Sequence, residues 1–272
     1  PLTKAVNKQL LPIYDKPLIF YPLSILMLSN IKDVLIIVNK GQLAQYKKIL
    51  PNGNNLGIKI TYKEQKKPIG LPDAFVLGEK FIGKSNIALI LGDNFFYGQN
   101  LTKILNDCCK LSNGAKVLLH KVSKPEFYGI AKVNNKNKIT LIKEKPKKFF
   151  SDLAITGLYF FDKKVSEYAK KLKPSKRGEL EITDLIKKYQ SLRQLKADYI
   201  GRGGAWLDTG SIDDFYKTSS FVSAIENRQG FKIACLEEIA LNNKWIYKNH
   251  IKDSIKFYGK CNYSNYLKKL IS

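Results

Sequence analysis

The stretch Asn86-Ile-Ala-Leu-Ile-Leu-Gly-Asp-Asn94 decides the fold. A short run, apolar on both faces, ends abruptly in Gly-Asp. Such a run suits a strand covered by helices on both sides, as in a parallel sheet. A carboxylate just beyond it stands at the carboxyl edge of an open α/β sheet, where ligands bind. Asp93 is therefore a candidate to hold Mg²⁺ on a nucleotide. The plainer reading is a loop aspartate that caps the next helix.

Similar runs lie on either side: Asp33-Val-Leu-Ile-Ile-Val38, Ile58-Lys-Ile-Thr-Tyr62 and Ala115-Lys-Val-Leu-Leu119. Segments with helical spacing separate them, at 18–29, 43–50, 71–81 and 101–111. This alternation predicts βαβ units and a mixed, mostly parallel, Rossmann-like central sheet flanked by helices. Beyond about residue 126 the pattern changes. Tyr128-Gly-Ile-Ala-Lys-Val133 and Lys138-Ile-Thr-Leu-Ile-Lys143 read as a hairpin. A strand over 155–161, helices over 163–172 and 179–190, and a strand near 195–200 follow. A long helix over 212–228 has Ser211 as its N-cap and Gly230 as its stop. The predicted organisation is a catalytic domain over 1–230 with a C-terminal helical extension over 231–272.

The chain has 272 residues, with 47 Lys and Arg against 23 Asp and Glu, a net charge of +24. That excess raises nucleic-acid binding as a rival function. However, 43 of the 47 are Lys, and base readout and bidentate phosphate recognition favour Arg. Asp and Glu at the candidate site positions would also be unwelcome against DNA. No apolar run is long enough to span a membrane, and no secretory signal opens the sequence. Cys108, Cys109, Cys235 and Cys261 form no CxxC pair, which suits a reducing cytoplasm. His120 and His250 lie too far apart for a zinc pattern. A metal held by this chain would rest on carboxylates, which favours Mg²⁺.

The other chemistry-bearing motifs each have an ordinary reading beside the functional one. Lys8, just ahead of Leu10-Leu-Pro12, is placed to reach a phosphate, or is one surface lysine among many. Asp208, in Gly204-Ala-Trp-Leu-Asp-Thr-Gly210, either shares Mg²⁺ with Asp93 or makes an Asx-turn. Lys143-Glu-Lys-Pro146 offers Lys145 to a second phosphate and Glu144 to sugar hydroxyls, or is an exposed charged turn. Glu179, in Gly178-Glu-Leu-Glu-Ile-Thr-Asp184, sits where acidic residues commonly begin a helix.

These pieces stand in a recognisable order: Lys8-Gln-Leu-Leu-Pro12, Tyr14-Asp-Lys-Pro17, Tyr21-Pro-Leu-Ser24, Leu91-Gly-Asp-Asn94 and Phe96-Tyr-Gly98. Tyr128-Gly129, Glu144-Lys-Pro146, Thr156-Gly-Leu-Tyr-Phe160, Arg177-Gly-Glu-Leu-Glu-Ile-Thr-Asp184, Trp206-Leu-Asp-Thr-Gly210 and Glu226-Asn-Arg-Gln-Gly230 continue it. With Pro1-Leu-Thr3 at its head, the chain resembles the glucose-1-phosphate thymidylyltransferases of the sugar nucleotidyltransferase superfamily. The resemblance implies Mg²⁺-dependent formation of dTDP-glucose and pyrophosphate from dTTP and glucose 1-phosphate. It implies that Lys8 binds the triphosphate and that Asp93 and Asp208 hold Mg²⁺. Lys145 would grip the sugar phosphate, and Gln9, Gln65 and Gly70 would face the thymine. Tyr128, Gly129, Glu144, Ile155 and Glu179 would line the glucose pocket. A homotetramer inhibited by dTDP-rhamnose is implied as well. Alternatives within the same frame are a uridylyltransferase and a non-catalytic paralogue.

Two departures stand out. The family's first strand, in the middle of the sheet, and its loop Gly-Gly-x-Gly-Thr-Arg-Leu should precede Pro1. The loop binds triphosphate through backbone N–H groups and supplies a catalytic Arg. Without them the 272-residue chain is expected to be inactive or nearly so. In Pro68-Ile-Gly-Leu-Pro-Asp-Ala-Phe75, the family usually has Asp before the Gly and Ala-Gln where Pro72-Asp73 stand. Asp73 beside a nucleotide is expected to repel it.

Overall fold

The computed structural model describes residue 3 and residues 6–272; Pro1 and Leu2, which open the motif series, lie outside the described residues. The strands are β1 (Pro12–Ile13), β2 (Lys16–Pro17), β3 (Asp33–Asn39), β4 (Lys59–Gln65), β5 (Ile87–Ile90) and β6 (Asn94–Gly98). They continue as β7 (Ala115–Lys121), β8 (Gly129–Val133), β9 (Ile139–Glu144), β10 (Leu153–Phe161), β11 (Leu195–Tyr199) and β12 (Gly204–Asp208). The helices are α1 (Phe20–Leu28), α2 (Leu43–Ile49), α3 (Asp73–Leu77), α4 (Glu79–Ile82), α5 (Leu101–Cys109) and α6 (Val165–Lys170). After them come α7 (Ile182–Ser191), α8 (Ile212–Gln229), α9 (Leu236–Asn242), α10 (Lys248–Tyr258) and α11 (Asn262–Ile271).

The central sheet has six strands in the order β11-β7-β10-β8-β9, with β5 also on β10. It corrects the expectation of a mostly parallel sheet. Within it only β7 and β11 run parallel; β10 is antiparallel to β5, β7 and β8, and β8 to β9. The cause lies in what the pattern reports. An all-apolar strand such as β10 (Leu153–Phe161) signals cover on both faces and says nothing about direction. One face of the sheet meets α3, α6 and α7 through Phe75, Val165 and Leu185; the other meets α1 and α5 through Ile25 and Leu105. β3 and β4 form a separate parallel pair, as the first βαβ unit predicts. Among the described residues β3 pairs only with β4 and β5 only with β10, and both line one groove of 490 Å³.

Local chemistry explains most element ends. Ser211 caps α8 by accepting the Asp214 N–H, and Gly230 closes it in the left-handed region at φ 74°. The expected 71–81 helix is two short ones, α3 and α4, broken at Gly78. The C-terminal helices share one hydrophobic cluster with α1, β3 and β4, through Leu236, Ile251, Leu267, Met27 and Val34.

An ion-pair network locks the start of the described chain to the end of α8. Lys16 Nζ lies 2.8 Å from Glu226 Oε1 and 2.6 Å from Asp15 Oδ1. Lys232 completes it, pairing with Asp15 and, at 2.6 Å, with Glu226 Oε2. Two cations and two carboxylates balance, which is the condition for tolerating charge in a core.

Candidate active site

The site is built on a two-stranded ribbon that the sequence did not announce. β6 and β12 pair antiparallel, with Asp208 opposite Asn94. Asp93 immediately precedes β6, so two carboxylates from distant motifs stand on neighbouring strands. Clustered aromatic residues, the consecutive Phe95-Phe-Tyr97 against Trp206, are the signal that marks both strands.

Each carboxylate is held. Asp93 Oδ2 accepts from Lys8 Nζ at 3.0 Å, and Asp93 Oδ1 accepts from Asn94 Nδ2 at 3.0 Å. The Asp93 carbonyl accepts from the N–H and the hydroxyl of Thr209, both at 3.0 Å. Lys8 begins a 3-10 turn (Lys8–Leu10) capped by Asn7, whose side chain accepts the Gln9 N–H. Asp208 Oδ1 accepts from the Tyr128 hydroxyl at 2.9 Å. Burial, then the Asp208 carboxylate, pushes the Tyr128 phenol well above its ordinary pKa, so it stays a donor at neutral pH.

Asn94 is a site residue that spacing alone missed. Its Oδ1 accepts from Trp206 Nε1 at 2.6 Å and from the Gly157 N–H at 3.1 Å. Gly157 sits where the β10–β7 register shifts, between Ile155 and Tyr159. A Cβ at Gly157 would lie 2.3 Å from Asn94 Oδ1, so the irregularity admits the amide only because the residue is glycine.

Beside the ribbon is a cavity of 570 Å³ lined by Gln9, Gln65, Gly70, Asp93 and Glu179, among others. The structure thus brings Asp93 together with the three residues expected to face the thymine. Gly70 has φ 121°, and a Cβ there would lie 2.1 Å from the Leu180 carbonyl oxygen. Its close bridge to Leu180 is what carries Glu179 to the cavity. Tyr46, also unannounced by the sequence, donates to Asn7 Oδ1 at 2.9 Å and approaches Gln9 Oε1 at 3.3 Å.

Of the residues expected at the sugar, Tyr128, Gly129 and Glu144 cluster at the β8–β9 hairpin, while Glu179 lines the cavity. Gly129 pairs with Glu144, and the Lys145 N–H donates to the Tyr128 carbonyl at 2.9 Å. Lys145 is exposed and adopts φ 41°, a left-handed conformation uncommon for a side-chain-bearing residue. Burial, then the nearby Glu181 charge, raises the Glu144 pKa against the pull of Lys145 and Arg177. The Ile155 side chain is not with this group; it is buried in the hydrophobic cluster with Val117 and Leu119.

Among the described residues no three His, Cys, Asp or Glu side chains converge on one point. Mg²⁺ on a nucleotide needs only one or two carboxylates beside phosphate oxygens and water. A Cβ at Gly210 would lie 3.2 Å from Asp208 Oδ2, so the glycine keeps space open beside that oxygen. The residues present fit the ion.

Residues 1–224 match the Nucleotidyl transferase family. A glucose-1-phosphate thymidylyltransferase of Neisseria meningitidis is 45% identical over 271 residues, covering 100% of this chain and 94% of the relative. The chain belongs to the nucleotidyl transferase family, among the glucose-1-phosphate thymidylyltransferases. The relative of that name in Mycolicibacterium smegmatis is 40% identical over 271 residues, 100% of this chain and 94% of its own. A Bacillus anthracis crystal structure, described by the same activity, superposes with a TM-score of 0.75 at 37% identity. It covers 81% of this chain and 88% of that one. A UDP-glucose pyrophosphorylase complexed with UDP-glucose shares the fold alone, at TM-score 0.71 and 24% identity. Among the described residues, no helix is long and apolar enough to cross a membrane.

Proposed function

We propose that the chain transfers the thymidylyl group of dTTP to glucose 1-phosphate, giving dTDP-glucose and pyrophosphate. The observation that carries this is the Lys8–Asp93 pair beside a cavity lined by Asp93, Gln9, Gln65 and Gly70, with Asp208 on the strand paired to the one that Asp93 precedes.

The chemistry needs no His or Cys. A phosphate monoester has a second pKa of about 6, so glucose 1-phosphate is already a competent anion near neutrality. One of its oxygens bonds to the α-phosphorus of dTTP as the bond to the bridging oxygen breaks, and pyrophosphate leaves with that electron pair. What such a displacement needs is alignment and neutralisation of charge. Lys8 exchanges its contact with Asp93 for triphosphate oxygens. Lys145 holds the sugar phosphate. Gln9, Gln65 and Gly70 face the base, while Tyr128, Gly129, Glu144 and Glu179 meet glucose hydroxyls. Ile155 contributes through its backbone, since its side chain is committed to the core. Asp93 and Asp208 would hold Mg²⁺, which when bound would neutralise negative charge on the phosphate oxygens.

Residues 1–230 carry the reaction in this reading, and 231–272 brace it through the cluster shared with α1, β3 and β4. Four free thiols suit a cytoplasmic setting. The homotetramer rests on the resemblance, and sedimentation tests it. The deciding assay is pyrophosphate release from dTTP and glucose 1-phosphate with Mg²⁺, with UTP in a parallel arm, run on the 272-residue chain and on the same chain preceded by the family's Gly-Gly-x-Gly-Thr-Arg-Leu loop. Turnover with dTTP in excess of UTP is expected. Faster turnover with UTP would replace thymidylyl transfer by uridylyl transfer.

A further inference from the structure

Asp73 was expected to be a liability beside a nucleotide, and the structure gives it an occupation. It opens α3, half-buried, and its Oδ2 accepts from Gln65 Nε2 at 2.7 Å. Gln65 ends β4 and lines the 570 Å³ cavity.

A glutamine amide has a donor end and an acceptor end that exchange places by a half-turn. Which end faces a ligand is ordinarily free to change. Here it is not. An ionised carboxylate only accepts, so the amide nitrogen must face Asp73, and the half-turned amide would set oxygen against oxygen. One Nε2 hydrogen is consumed by Asp73. With Asp73 taking the hydrogen trans to Oε1, the other lies beside Oε1 and leaves an adjacent donor and acceptor of fixed order.

That order distinguishes pyrimidines. Thymine offers a ring N3–H donor next to the O4 acceptor. Oε1 meets the first, and the remaining Nε2 hydrogen meets the second. Cytosine reverses both signs at the same two places, with N3 an acceptor and the 4-amino group a donor. It would need the half-turned amide that Asp73 forbids. We propose that Asp73 is a positioning residue that locks the Gln65 amide and so makes the site reject cytosine nucleotides. This rests on the reading of Gln65 as a base contact given above.

The test compares kcat/KM for dTTP and dCTP, each with saturating glucose 1-phosphate, in the parent chain carrying the Gly-Gly-x-Gly-Thr-Arg-Leu loop ahead of Pro1 and in its Asp73→Asn, Asp73→Ala and Gln65→Ala variants. The parent should prefer dTTP. Asparagine can donate or accept, so Asp73→Asn frees the Gln65 amide, and the dTTP:dCTP ratio should fall about tenfold or more, as expected for one bidentate base contact. Asp73→Ala should lower it too, with the KM for glucose 1-phosphate unchanged. The ratio is internal to one preparation, so partial misfolding cancels. A ratio unchanged in both Asp73 variants, while Gln65→Ala still weakens dTTP, overturns the locking role alone. Gln65→Ala with unchanged kcat/KM for both nucleotides overturns the base placement, and the proposal with it.

Discussion

Lys8 and Lys16 stand eight positions apart in the sequence and meet opposite fates. Lys8 pairs with Asp93 at 3.0 Å, with the two side chains 26% and 31% exposed. Lys16 pairs with Glu226 at 2.8 Å, with both side chains 2% exposed. The distances are alike; the surroundings differ. Water around the first pair weakens it and lets a triphosphate take the lysine's place. Around the second there is no competing solvent, so separation would strand a bare charge in the core. Solvent, more than geometry, divides a working cation from a structural one.

Substitution at the buried pair gives the largest expected effect. Glu226→Gln leaves Lys16 short of one negative charge, and a loss of about 3–5 kcal/mol is expected from denaturant unfolding. The double variant Lys16→Met with Glu226→Leu leaves Lys232 and Asp15 balanced, and most of that stability should return. A double variant as unstable as the single would show that packing, not charge, is what Glu226 supplies.

At the exposed pair the pattern should invert. Lys8→Ala should lower kcat by about 10²–10³, as for loss of one preorganised donor to a transition state. Its unfolding free energy should change by no more than about 1 kcal/mol. Equal damage to stability and turnover would erase the contrast.

Much of this was legible from residue types. The strands over 33–39, 87–90 and 115–121, the hairpin, and the Ser211 and Gly230 limits of α8 follow from periodicity and capping. Asp93 and Asp208 stand out because a carboxylate after an apolar run is unusual chemistry in a predictable place. Strand direction was not legible, since burial on both faces is blind to it. Nor was the β6–β12 ribbon, whose partners lie over a hundred residues apart in sequence and leave no local trace of each other. The role of Lys16 was hidden for a similar reason: nothing near it in the sequence shows that Glu226 arrives beside it. The Gln65–Asp73 contact spans only eight residues, yet charge alone named no partner for Asp73.

Salt sharpens the comparison further. Raising ionic strength from 0.05 to 0.5 M, both on the order of common buffers, shortens the screening length several-fold. The KM for dTTP should rise, while the unfolding contribution of the Lys16 network stays nearly constant. A fall in KM would contradict an accessible Lys8.

The smallest expected effect is at acid pH. Burial alone would raise the Asp15 pKa, but Lys16 and Lys232 override it and hold the carboxyl below its ordinary value. A carboxyl depressed by folding stabilises the protein above its unfolded pKa, about 3.9. That contribution is lost as pH falls below this value and through the lower folded one. Thermal melts of Asp15→Asn should therefore show a shallower fall below about pH 4 than the parent. Identical slopes would remove Asp15 from the network's energetics.

Gly157 has a consequence at the level of codons. Every missense change that a single base can make in a glycine codon adds at least a Cβ, and here that atom would meet Asn94 Oδ1 at 2.3 Å. The amide so displaced belongs to Asn94, 63 positions away, and it is the one that donates to Asp93. A saturation library selected for turnover should leave position 157 nearly blank, although the residue touches no substrate and carries no chemistry of its own. Its part in the reaction is to be the one side chain that is not there.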